Sequence, residues 1–376
     1  MKIAIVTHNT IKNDGQGKVN YELTQYLAKR GHKVHLYTNK VDSELRLIKN
    51  VVIHYVPVFR ESPNLLKSVV FFVFATLKLM RKHYDVIHLN GAVCLVPLRG
   101  VAHSVNTCHF CHSGWREVGI EKEFYYKMHT LINIWVEKII YKKYKEARII
   151  ALSEKIKNEL TTLVGINEKR IKVLYNGVNI EEFNPIKRSK SLRKSLGIKD
   201  EDFVILFLGD LRTERKGAQY LMQAFQKIHL SNIKLLLVGG SRDTLWRVPT
   251  QNLQNNIFTL GFVKDTVSVY RTADVFVFPT LYEACSLTIF EAMASGLPVI
   301  TSKQAGSSEI IEDKIDGLIL KNPRDSEEIK EKIELLYNDK SLRLKIAKNA
   351  REKVENYTWD KMNQKIEEIY QEVVVV

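Results

Sequence analysis

Short apolar runs separated by longer helical patterns recur along this chain, and no other feature constrains its fold as tightly. Strands read at residues 2–8, 33–38, 51–57, 85–90, 104–110 and 147–153, with helical patterns at 18–30, closed by Gly31, and at 121–145. A strand that is apolar on both faces must be covered on both faces, which a parallel sheet flanked by helices achieves. The scheme then starts again. Strands read at 203–208, 234–238, 257–260, 274–279, 298–302 and 317–320, and helices at 218–229, 267–272 and 286–295. The expected fold is α/β, two doubly wound, Rossmann-like parallel-sheet domains in tandem. A length of 376 residues, long for one core, agrees. Pro, charge and Ser cluster at 184–191 and mark the linker. The expected division is 1–184, 185–356 and a terminal amphipathic helix, 357–376, packing back on the first domain.

In open sheets of this kind, ligands bind beyond the carboxyl ends of the strands, and two domains facing across a cleft would direct those ends at one ligand. The loops after Val6, Leu208 and Phe278 are therefore the expected site walls. The first holds Gly15 and Gly17, which let backbone approach a ligand, ahead of a helix whose free amides suit an anion. A plain turn accounts for the same glycines. The second holds Arg212, Arg215 and Lys216. Arginine makes paired hydrogen bonds to phosphate and lysine adds a compact charge, although a solvated charged loop has the same composition. The third holds Glu283, followed by a helix containing Glu291 among Phe290, Ala292 and Met293. A buried carboxylate is costly unless a polar group meets it, so a hydroxyl-bearing ligand or nearby cations are expected.

Lys and Arg number 57 against 42 acids, a formal +15 that favours an anionic partner: a membrane surface, nucleic acid or a phosphorylated substrate. The first residues read as a strand rather than an export signal, so a cytoplasmic location with reduced cysteines is expected, the alternative being a peripheral one on the inner face of the cell membrane. Cys108 to His112 spells Cys-x-x-Cys-His. Without an export signal or a second ligand pair, haem attachment, zinc and redox roles give way to buried small hydrophobes. Residues 65–80 are apolar but too short and too charged for a confident span. They read either as an interfacial helix, flanked by Arg81, Lys82 and His83, or as a helix covering the sheet. Between residues 60 and 148, 14 Lys/Arg stand against 7 Asp/Glu, and 138–145 form a second basic, aromatic stripe.

The ordered set of motifs resembles the retaining glycosyltransferases of family 4, with the GT-B fold, over nearly the whole chain. It comprises the glycine loop at Gly15, Asp85-Val86-Ile87-His88, Asn176-Gly177-Val178 with Phe183 and Pro185, and Phe207-Leu208-Gly209. Arg215-Lys216-Gly217, Leu237-Val238-Gly239, Leu260-Gly261-Phe262, Glu283 with Glu291, residues 292–300 and Asp316-Gly317 complete it. The resemblance implies a transferase moving a sugar, with retention, from a nucleotide-sugar donor to a lipid-linked or surface-glycan acceptor. A UDP-sugar is favoured over a GDP-sugar. It implies Glu291 on the donor ribose and Glu283 on hydroxyls of the transferred sugar, helped by amides of Cys285, Ser286, Leu287 and Thr288. Lys216, Arg215 and Arg212 would meet the diphosphate, Gly15 and Gly17 would approach the same phosphates, Val263 would line the donor site, and His109 would lie beside the sugar. No metal and no cofactor are implied, the nucleotide-sugar being a substrate. Asp14 stands where many relatives have glycine, Asp210 where many have arginine, and Cys285-Ser286 where an aromatic-Gly pair is usual. A soluble transferase to a small-molecule acceptor is the alternative, then a basic nucleic-acid or anion-binding protein. No recognition module for specific nucleic-acid binding is present.

Overall fold

The computed structural model describes residues 1–58, 64–80, 82–96, 103–120, 123–185, 189–240 and 256–375. Two compact units divide them. One comprises Met1–Gly177 with Trp359–Val376, the other Val178–Thr358. The proline-containing stretch 184–191 thus falls inside the second unit, and its residues 186–188, like Arg81, lie outside the described residues.

The first unit is built on strands β1 (Lys2–Val6), β2 (Lys33–Thr38), β3 (Val51–Tyr55), β4 (Val86–Asn90), β5 (Ser104–Cys108), β6 (Arg148–Ala151) and β7 (Ile171–Val173). They form one sheet in the order β3-β2-β1-β4-β5-β6-β7, with every pair parallel. The short edge strand β7, three residues with one exposed, carries too little apolar signal to read from sequence. The helix Gly15–Lys29 ends as expected at Gly31, whose φ of +85° suits glycine. The expected helix over 121–145 is Phe124–Lys143, preceded by an unforeseen helix His112–Val118. The 65–80 stretch is the helix Asn64–Met80. Its Phe71, Ala75 and Leu79 are fully buried in one core cluster with Ala4, Val6, Ile87 and Leu89 of the sheet. Among the described residues, no helix is long and apolar enough to cross a membrane.

The last helix, Trp359–Val375, packs against Gly15–Lys29 and β4 of this same unit. Its buried Glu367 accepts from Tyr26 at 3.1 Å, Arg30 at 3.3 Å and His32 at 2.6 Å. Its Tyr370 hydroxyl bonds His88 Nδ1.

The second unit is built on β8 (Phe203–Leu208), β9 (Ile233–Val238), β10 (Ile257–Leu260), β11 (Val275–Phe278), β12 (Val299–Ser302) and β13 (Leu318–Leu320). Their order is β10-β9-β8-β11-β12-β13, again all parallel. Two further helices follow: Ser326–Asn338 packs on β12 and β13, and Lys340–Val354 on it and on the helix Leu287–Ala294. Their buried positions Ile329, Ile333 and Leu336, then Ile346, Ala350 and Val354, are widely spaced among charged residues. Beside them, Arg351 Nη1 donates to the carbonyls of Ile180, Phe183 and Ala294, fastening the start of the unit to its end.

Candidate active site

In each sheet the strand order reverses at its middle, between β1 and β4 and between β8 and β11. There the outgoing loops diverge and leave a crevice at the carboxyl ends. In the second unit the loops after β8 and β11 are stitched together. Gly217 has φ +79°, and a Cβ on it would fall 1.9 Å from the Pro279 carbonyl oxygen. The Leu281 amide and the Thr280 hydroxyl both donate to the Arg215 carbonyl, at 2.7 and 2.8 Å. Only glycine permits this approach.

The stitch brings three charged side chains together. Lys216 Nζ and Arg215 Nη1 donate to the same oxygen, Glu283 Oε2, at 2.6 and 2.7 Å. Arg215 Nη1 also reaches the Tyr282 carbonyl at 2.9 Å, and the Lys216 ammonium lies 5.2 Å over the Phe278 ring. The three side chains are 16–22% exposed. Burial alone would raise the Glu283 carboxyl, but Lys216 and Arg215 outweigh it and hold the group below the ordinary carboxylate range. Burial draws Lys216 below lysine's usual value, and Glu283 only partly offsets this. Glu283 Oε1 takes no hydrogen bond among the described residues.

Glu291 has a different environment. It is buried in the helix Leu287–Ala294, and its Oε2 accepts from the Tyr270 hydroxyl at 3.0 Å. Burial, then the Glu291 charge, pushes the Tyr270 phenol well above its ordinary value. Of the expected amide donors, Ser286 N is already given to Ser307 Oγ at 3.1 Å. Cys285 is buried just before the helix, and Leu287 and Thr288 form its half-buried first turn. Val263 is half-buried in the loop after β10.

Arg212, expected on a phosphate with Arg215, stands apart from it in this structure. Its guanidinium is 73% exposed and grips Asp210 through two 2.9 Å hydrogen bonds. The acidic residue standing in place of a relative's arginine thus engages the neighbouring arginine, two residues along in the same loop.

In the first unit, the helix beginning at Gly15 has Asp14 at its cap. Gly17 is tightly placed, since a Cβ there would lie 2.7 Å from the Ile11 carbonyl oxygen and 3.0 Å from Asp14 Oδ2. Gly15 is open, with nothing within 4 Å of such a Cβ. Asn90, the last residue of β4, joins the separate signals of this unit. Its carbonyl accepts from Gln16 Nε2 at 3.1 Å, and its Oδ1 meets His109 Nε2 at 2.9 Å. With the Asn90 amide in this orientation its oxygen accepts, so Nε2 carries the proton and Nδ1 is the acceptor. Burial lowers the His109 pKa to about 4, so the ring is neutral near pH 7. All four cysteines are buried, and none forms a disulfide.

Three residues of the site were not singled out from sequence: Tyr270 on Glu291, Asn90 on His109 and Thr280 in the stitch. Asn90 carried a readable signal, a polar residue ending an apolar strand at the reversal of strand order. Tyr270 carried none, because its partner lies on a different helix.

Residues 13–182 match the family described as Glycosyltransferase Family 4, and residues 188–353 match that described as Glycosyl transferases group 1. An uncharacterized glycosyltransferase of Methanocaldococcus jannaschii is 33% identical over 237 residues, 60% of each chain, so the match spans well under two thirds of that relative. A UDP-Gal:alpha-D-GlcNAc-diphosphoundecaprenol alpha-1,3-galactosyltransferase of Escherichia coli is 26% identical over 338 residues, covering 85% of this chain and 84% of its own. Among solved structures, WaaG, a glycosyltransferase involved in lipopolysaccharide biosynthesis, superposes with a TM-score of 0.83 at 20% identity, covering 98% of this chain and 99% of its own. Anabaena HepE in complex with UDP and glucose does so with a TM-score of 0.74 at 20% identity, covering 99% of each chain. The fold is GT-B, and the chain belongs to the group 1 glycosyltransferases of family 4.

Proposed function

We propose that the protein transfers a sugar, with retention of anomeric configuration, from a UDP-sugar to a lipid-linked or surface-glycan acceptor. The observation that carries this reading is the Arg215–Lys216–Glu283 cluster at the carboxyl ends of β8 and β11. Breaking the bond between sugar and nucleotide builds negative charge on the departing diphosphate. Cations already ordered and partly desolvated stabilise that charge far better than mobile ones in water. Glu283 keeps Lys216 and Arg215 ordered through Oε2, and its Oε1 is available to a hydroxyl of the sugar. Glu291, held by Tyr270, is placed to accept hydroxyls of a ribose. These groups supply the charge stabilisation without a metal. In the first unit, neutral His109 offers Nδ1 to a sugar hydroxyl, and Gly15 leaves the backbone open to a phosphate.

The E. coli relative, named for a UDP donor and a diphosphoundecaprenol acceptor, supports this choice of substrates, and the UDP and glucose in HepE support the donor. The net charge of +15 supports a peripheral position on an anionic membrane surface. Thermal shift and slow donor hydrolysis across UDP- and GDP-sugars test the donor. A UDP-sugar is expected to raise Tm, and a response to GDP-sugars alone would overturn the donor assignment. Silence from every nucleotide-sugar would overturn the whole reading. Co-sedimentation with anionic vesicles is expected at low salt and lost at high salt; no binding at low salt would remove the membrane.

A further inference from the structure

Two helices on one face of the first sheet are apolar on the side turned away from it. Asn64–Met80 and Phe124–Lys143 share a single core cluster, through Phe71, Ala75 and Leu79 on one and Ile140 on the other. Each also exposes a second stripe at helical spacing: Val69, Val73, Leu77 and Met80, 45–50% exposed, and Phe124, Met128, Leu131 and Trp135, 38–78% exposed. Isolated exposed hydrophobics are ordinary, but a row of four along one helix face forms a patch that calls for a partner. Beside the second row, a cleft of about 320 Å³ opens next to the helix His112–Val118. Trp115, Arg116, Gly119, Lys127, Thr130 and Leu131 line it, and Leu131 belongs to both row and cleft.

The charge of the cleft selects its occupant. Arg116 and Lys127 face it, and among the described residues no acid lines it and neither cation has an ion-pair partner. Lys127 also stands in the first turn of its helix, where a cation opposes the helix dipole. A small free anion would leave the rows unexplained, and a purely apolar partner would leave two cations facing it. A phosphorylated lipid accounts for both.

We infer that this cleft binds the phosphate-bearing end of the lipid-linked acceptor, with Arg116 and Lys127 on the phosphate, Trp115 beside it, and the chain along Leu131 and Trp135. The inference rests on the acceptor class proposed above and names its site. The test is calorimetric titration of the whole chain, with UDP saturating the donor site, using farnesyl diphosphate, farnesol and inorganic diphosphate as separate probes. Farnesyl diphosphate is expected to bind at least tenfold more tightly than either fragment. The double variant Arg116→Ala/Lys127→Ala, altering two exposed side chains, is expected to lose at least tenfold. Lys127→Arg is expected to retain binding. Equal affinity for wild type and double variant would overturn the site, as would inorganic diphosphate binding as tightly as its farnesyl ester. A wild type that responds to UDP-sugars but not to farnesyl diphosphate removes this site alone. A wild type that ignores UDP-sugars removes the functional reading, and the comparison with the double variant still decides the cleft.

Discussion

Six histidines of the first unit, at positions 8, 35, 54, 88, 109 and 112, have pKa values lowered to about 3 or 4, with burial the leading cause in each. The second unit instead orders buried cations. Lys216 and Arg215 meet Glu283, and Arg193, 1% exposed, donates to the carbonyls of Thr272, Lys199 and Asp202 beside Asp274. The units share a sheet order, and the first also pairs a buried charge at Glu367, but the neutral, desolvated rings belong to it and the ordered loop cations to the second. A neutral imidazole serves as a polar contact on an uncharged sugar, whereas stabilising a leaving diphosphate requires fixed cations. The difference in electrical state matches the division of labour proposed for the two units.

The largest effect should come from the stitch. Gly217→Ala places a side chain at positive φ and against the Pro279 carbonyl, which is expected to cost about 3 kcal/mol or more. Chemical denaturation should show the second unit failing first; an unchanged midpoint would break the account of how the charged cluster is assembled. Lys216→Ala comes next. Glu283 keeps Arg215, so folding should survive while turnover falls by roughly 10²–10³. A Tm loss with wild-type turnover would make the cluster structural.

Acid should separate the units. Each depressed histidine refuses protons that the unfolded chain accepts, so stability falls as pH drops below about 6.5 towards the folded value. For a fully buried ring such as His88, the loss by pH 5 is about 2 kcal/mol. Glu283, held below the ordinary range, stays ionised there. Hydrogen exchange at pH 7 and pH 5 should therefore loosen the first unit much more than the second, and equal loosening would erase the contrast. The smallest expected effect is Tyr270→Phe, which removes one hydrogen bond from Glu291, worth about 1 kcal/mol. UDP affinity by calorimetry should weaken several-fold; no change would detach Glu291 from the ribose role.

Most of the fold could be read because fully buried parallel strands are short, apolar and punctuated by glycine or proline. The expected strands at 33–38, 203–208 and 257–260 coincide with the observed ones, and the other expected strands differ by a residue or two at their ends. The edge strand Ile171–Val173 and the helices Ser326–Asn338 and Lys340–Val354 escaped, since partial burial leaves a sparse apolar pattern among charges. At the site, the residue types in the loops were legible but not their partners. Arg212 and Arg215 are equivalent in sequence, yet one reaches Asp210 in its own loop and the other crosses to Glu283 on the next strand's loop.

The sequence by itself determined the two parallel sheets, the loops that carry the chemistry and the burial of Glu291, because periodicity and apolar context are local properties. Only the tertiary structure decided that Glu283 holds both Arg215 and Lys216 through one oxygen and that Asn90 meets His109. Those outcomes depend on contacts between segments far apart in the chain. Such contacts are fixed by strand order and by a single glycine-permitted approach of two loops, neither of which a residue pattern records.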